Sequence, residues 1–142
     1  VIIDSPPNLG PLADGGLLAA ENVLFPSHAN TIATDSLQIL FDEIDTLERK
    51  FDDVSVTTVA AVLNEVGRDS VSEEMESWFV ETFGEDYLFE IPDWVAVEHA
   101  IEYQTSVFAY DPEDAGYARD AETTEELRDK YTNVATHVEK LS

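Results

Sequence analysis

Cysteine is absent from these 142 residues, which excludes disulfides and thiolate metal sites. Histidine is nearly as scarce. His28, His99 and His137 are the three imidazoles, and no two stand at the short spacing of a zinc site. Basic residues number seven against 31 acids, so the chain holds few groups that could neutralise phosphates. Non-specific nucleic-acid affinity depends on such groups. No apolar run reaches the roughly 18 residues of a membrane span. No charged-then-apolar leader opens the chain.

What is present is a core-forming chain under a heavy negative charge. Apolar residues make up 44% of it, and seven Phe, five Tyr and two Trp can fill a core. The formal charge is -24. The acids are spread between hydrophobic segments instead of forming a tail, which separates the chain from disordered acidic sequences. Two explanations fit: a protein adapted to a salt-rich cytoplasm, or an acidic domain with a basic partner.

Val1-Ile2-Ile3 reads as a short buried strand ended by Asp4-Ser5-Pro6-Pro7, and a strand opening at its first residue implies preceding sequence. Pro11 to Ala20 (PLADGGLLAA) reads as a short helix, and Val23 to Pro26 as a second strand. Ile32, Leu37, Leu40, Phe41, Ile44 and Leu47 recur at three- and four-residue steps, predicting a helix over 31–51. Thr34 or Asp35 is expected to cap it, and Asp52-Asp53 to break it. Val54 to Val66 (VSVTTVAAVLNEV) has the β-branched character of a central parallel strand.

Beyond a loop at 67–70, Ser72 to Phe83 is amphipathic, with Met75, Phe79 and Trp78 inward and Gly84 as C-cap. Tyr87 to Ile91 is a fourth strand, stopped by Pro92. Val95 to Tyr103 is a helix, Ser106 to Tyr110 a short extended segment, and Thr123 to Leu141 a terminal helix. Strands alternating with helices predict an α/β fold: one domain over 1–142, with a mainly parallel sheet flanked by helices.

The sharpest local feature is Val-Ile-Ile-Asp-Ser-Pro-Pro. An acid at the carboxyl end of a buried strand stands where open α/β sheets bind ligands, and in P-loop NTPases such an acid holds Mg²⁺. The alternative is a capping Asp in a turn. His28 reads as a surface or loop histidine and His99 as a structural one, and Trp78 and Trp94 read as packing residues. Glu73-Glu74 and Glu125-Glu126 read as solvated helix faces.

The whole series resembles the C-terminal part of a ParA/Soj partition ATPase, a P-loop NTPase with a deviant Walker A loop. The residues that carry the likeness are VIIDSPPNLG, the strand ending in Pro26, the long helix after it, VAAVLNEV, LFEIPDW and SVFAYDP. The resemblance implies Asp4 as the acid near Mg²⁺, and Pro6, Pro7 and Asn8 in switch II. It implies Asn64 on the adenine of ATP, with Pro92 and Asp93 flanking it. It further implies an ATP-bound homodimer, non-specific DNA binding, a ParB-like partner, a cytoplasmic location and a role in plasmid or chromosome partitioning.

The departures are specific. The family's Gly-Lys-Gly-Gly-x-Gly-Lys-Thr loop is absent from these residues, as is the acid of switch I, so the chain alone is expected not to hydrolyse ATP. Asp93-Trp94 replaces the basic or amide pair common after Ile-Pro. Two other readings stand beside this one: a MinD-like positioning ATPase, and a non-catalytic module that keeps the fold. The tail, Glu122 to Ser142, sets Arg128, Lys130 and Lys140 against five acids, which argues against the basic membrane helix of the MinD type.

Self-repulsion at this charge is screened as the Debye length shrinks from about 10 Å at 0.1 M salt to about 3 Å at 1 M. The thermal midpoint should therefore rise steeply with KCl over that range. A flat or falling midpoint in calorimetric melts would remove the salt-adapted reading.

Overall fold

The computed structural model describes residues 1–5, 10–30 and 32–141. Three strands form one all-parallel sheet in the order β1-β2-β3, where β1 is Asn22–His28, β2 is Thr57–Val66 and β3 is Leu88–Pro92. Five α-helices accompany it: α1 (Pro11–Ala20), α2 (Ile32–Lys50), α3 (Ser70–Phe83), α4 (Val95–Glu102) and α5 (Ala121–Leu141). The α/β architecture with a parallel sheet between helices is the one expected.

β2 is the centre of the molecule. Val59, Ala60, Ala61 and Leu63 are all buried, because this strand is paired on both edges and covered on both faces. Ala61 and Leu63 point to one face. There they meet Phe25 of β1, Leu37 and Ile44 of α2, and Met75 and Phe79 of α3. The rings of Phe25, Phe41, Phe79 and Phe83 interlock there, with centroids 5.3 to 5.7 Å apart. Val62 points to the other face, toward Ile91, Ala96 of α4 and Leu127 of α5. The result is a helix–sheet–helix sandwich.

Local chemistry sets the element ends. Asn30, not Thr34 or Asp35, caps α2: its Oδ1 accepts from the amides of Ile32 and Ala33 at 3.2 Å each. The two expected caps, Thr34 and Asp35, stand inside the helix, which begins at Ile32. Asp69 caps α3, its Oδ1 accepting from Val71 at 2.9 Å and Ser72 at 3.0 Å. A Cβ at Gly67 would stand 2.6 Å from Asp69 Oδ2, so a larger residue there would have to displace the capping carboxylate. Gly84 closes α3 at φ 87°. Residues 54–56 are not in β2. The Val56 amide instead donates to Glu48 Oε1 of α2 at 2.7 Å, and pairing begins at Thr57.

Two sequence expectations are corrected. Val1–Ile3 is not a buried strand. The three residues are 124%, 97% and 48% exposed and pair with nothing in the sheet. A strand needs a neighbour for its amides and carbonyls, and three residues gain too little by adding to one edge. The described sheet accordingly has three strands, not four.

Residues 106–110 are not extended. Ala109 and Tyr110 amides both return to the Ser106 carbonyl, at 3.0 and 2.9 Å, forming a tight turn. The turn is held by Arg128 of α5, whose guanidinium donates to the carbonyls of Val107 at 2.9 Å and Tyr110 at 2.5 Å while pairing with Glu125. Tyr110 is thereby buried at 2% exposure.

The remaining histidines fasten the second layer. His99 Nδ1 stands 2.9 Å from Asp120 Oδ2, and its ring stacks on Tyr117 at 3.7 Å. His137 of α5 reaches the Val59 carbonyl through Nε2 at 2.8 Å and sits edge-on to Tyr87 and Phe89.

The Asp69 cap offers a direct test of this local reading. Asp69→Ala strips an acceptor from two α3 amides and should cost about 1 kcal/mol in urea denaturation, within the range known for N-cap losses. An unchanged midpoint would mean that water or Ser72 satisfies those amides as well.

Candidate nucleotide-base site at the carboxyl edge of the sheet

In a parallel sheet all strands end on the same side, and side chains carried just past those ends converge there. Here the ends of β1, β2 and β3 fall in register: His28 opposite Asn64, and Asn64 opposite Ile91. The Asn64 carbonyl accepts from the Ala29 amide at 3.0 Å, which fixes the backbone at the strand end. Pro92 lies opposite Val66, and the Asp93 amide reaches the Val66 carbonyl at 3.3 Å. Asn64, Pro92 and Asp93, far apart in sequence, are thus gathered at one edge. Asn64 and Pro92 are half-buried and Asp93 is exposed.

Between Asn64 and Val66 the ladder slips by one residue. The extra residue is Glu65, at φ 57°, a left-handed conformation that side chains other than Asn, Asp or Gly seldom take. Its carboxylate turns back to His28, with Oε2 3.0 Å from Nδ1. Both side chains are largely exposed, so the pair itself contributes little; the bulge is the larger feature. Bulges re-aim side chains at the rims of sheets, and this one separates the facing of Asn64 from that of Val66. Sequence reasoning missed Glu65, since VLNEV reads as an unbroken strand and nothing in that run marks a left-handed residue. His28, expected at the surface or in a loop, is the exposed last residue of β1.

The sequence-predicted metal residue is not gathered at this edge. Asp4 lies in the exposed, unpaired segment 1–5, and the switch II residues Pro6, Pro7 and Asn8 lie outside the described residues. Among the described residues no group of three or more His, Asp or Glu could hold a metal ion. Mg²⁺ bound through a single carboxylate relies on phosphate oxygens and water for its other ligands.

Two of the helix N-termini at this edge are closed to anions, while that of α4, just past β3, has no side-chain cap at Trp94. Helix N-termini supply anion sites through free amides. Those of α2 and α3 are already taken by Asn30 and Asp69. Glu65 and Asp93 add negative charge at the same edge. Among the described residues, no helix is long and apolar enough to cross a membrane.

A scan against protein-family models finds no match, and a search of curated proteins finds none either.

The bulge makes a prediction of its own. Glu65→Gly removes a left-handed strain of about 1–2 kcal/mol and adds unfolded-state entropy of about 0.5–1 kcal/mol. The variant should be as stable as the parent or slightly more so, by up to about 1 kcal/mol in urea unfolding. A clear loss would show that the His28 contact holds the bulge.

Proposed function

We propose that this chain is the C-terminal portion of a ParA-type partition ATPase, contributing the base-binding edge of the nucleotide site. The observation that carries the reading is the convergence of Asn64, Pro92 and Asp93 at the carboxyl ends of adjacent parallel strands, where the resemblance had assigned adenine. The parallel sheet, the order of its elements and the long helix after Pro26 support it.

In that reading Asn64 pairs with the edge of the purine through its carboxamide, which can donate and accept at once. Pro92 offers an apolar wall, and the Asp93 loop closes one side. When bound, ATP with Mg²⁺ supplies the phosphoryl chemistry. Asp4 is the residue that the resemblance assigns near that metal. The phosphate loop, the ATP-dependent homodimer, DNA binding and a ParB-like partner belong to the proposal for the complete ATPase, as does its cytoplasmic setting. At -24, this portion gains nothing from contact with DNA phosphates, so any DNA contact falls to other surfaces.

The test is binding by the chain itself. Calorimetry with Mg-ATP should find nothing tighter than about millimolar, near 4 kcal/mol, because the charge complementarity of a phosphate loop is missing. Amide NMR with adenosine at millimolar concentration should still move the signals of Asn64, Glu65 and Asp93, and Asn64→Ala should abolish those shifts. Shifts confined to other regions would withdraw the base-site assignment and favour a non-catalytic module that keeps the fold. A micromolar site would mean that the phosphates are held by groups not named here.

A further inference from the structure

Residues 105–115 form a loop with closed ends between α4 and α5. At its start the Gln104 and Thr105 amides return to the carbonyls of Ile101 and Ala100, at 2.9 and 3.0 Å. Past its finish Tyr117 stacks on His99, with ring centroids 3.7 Å apart. The Tyr103 hydroxyl joins the two ends by donating to the Ala115 carbonyl at 3.0 Å. A chain segment closed in this way is an Ω-loop. The residues that bound it are both left-handed, Gln104 at φ 52° and Gly116 at φ 83°. Glycine takes that conformation freely and glutamine does not.

Opposed forces act on this loop. Val107 packs on the buried cluster of Ile91, Ala96 and Leu127, and the Arg128 guanidinium donates to the carbonyls of Val107 and Tyr110. One side chain thus fastens the middle of the loop at two points. Against it stand the backbone strain at Gln104 and a buried hydroxyl. Tyr110 Oη is shut away from solvent and meets no hydrogen-bond partner among the described residues, a cost that hydration on opening would remove. We propose that residues 105–115 are a strap that opens as a unit about Gln104 and Gly116, with Arg128 as its catch, while the sheet stays folded. Opening uncovers the apolar cluster beneath Val107. The proposal is independent of the nucleotide reading.

Local opening and global unfolding are separable by native-state hydrogen exchange. The amides of Ala109 and Tyr110 are bonded to the Ser106 carbonyl, and that of Ala115 to the Asp111 carbonyl, so all three report the strap. A substitution that weakens the closed strap speeds these amides. A substitution elsewhere that weakens the closed and the strap-open forms alike speeds only the amides that need global unfolding. Asp69, the cap of α3, is outside the strap, so D69A is a substitution of the second kind.

The test is amide exchange followed by NMR on the parent chain, D69A, R128K and Y110F, in about 1 M KCl to screen the net charge. In the parent the strap amides should exchange about tenfold or more faster than those of β2. Their rates should stay nearly level across low urea concentrations, where those of β2 climb. D69A should speed the β2 amides about fivefold, as loss of a cap implies, and leave the strap amides unchanged. R128K keeps the charge without the planar fork and should speed the strap amides about tenfold. Y110F should slow them about fivefold. Strap amides that follow β2 in urea or in D69A overturn the proposal, as do strap amides unmoved in R128K. Faster strap exchange in Y110F also overturns it, since the hydroxyl would then help to hold the strap closed. The parent and D69A carry the test by themselves if R128K does not fold.

Discussion

The structure depends on the burial of β2 from both sides. A strand that is paired along both edges and covered on both faces must satisfy its backbone within the ladder and offer small or apolar side chains above and below. Ala60, Ala61 and Leu63, all at zero exposure, meet that requirement. The alanines let α2 and α3 approach on one side and α5 on the other. Because β2 cannot host a polar side chain along this stretch, chemistry is displaced to its end. Asn64 is the first residue past the sealed segment that carries a polar side chain, and the bulge at Glu65 follows at once.

The extreme charge is compatible with this core because it is kept off it. The large fully buried side chains are apolar, apart from the hydroxyls of Tyr110 and Thr124. The few bases have particular uses. Arg128 ties the 106–110 turn to α5 through two backbone carbonyls, and Lys130 lines a cleft at β3 with Glu76, Glu85 and Glu90. Where acids crowd without such a base, the fold gives them backbone amides to accept from, as Asp69 and Glu48 do. An acid used as a cap is stabilised by the helix N-terminus, and such a cap also closes that terminus to any other anion.

That closure bears on function. A parallel α/β sheet places its helix N-termini and its strand ends on one side, which makes the side suitable for nucleotides in general. In this chain Asn30 and Asp69 occupy the N-terminal amides of α2 and α3, while α4 begins just past β3 with no side-chain cap at Trp94.

The alternation of apolar runs and amphipathic stretches determined the element order and type on its own. Periodicity over 32–47 and the β-branched run before Asn64 report burial on one stripe or on two faces, and burial is what residue type encodes directly. Gly84 and Pro92 marked their boundaries for equally local reasons. Partners distant in sequence were another matter. Val1-Ile2-Ile3 has the composition of a strand and no neighbour to pair with; composition says what a segment can bury, not what lies beside it. SVFAY has extended character, yet Arg128, 18 residues past Tyr110, folds it into a turn. Glu65 becomes left-handed because the ladder between β2 and β3 slips there, and Glu76 and Glu90 line one cleft because α3 packs along β3. Register, pairing and crossing of elements are set by the sum of many contacts across the sheet, so only the tertiary structure decides which end residues share an edge.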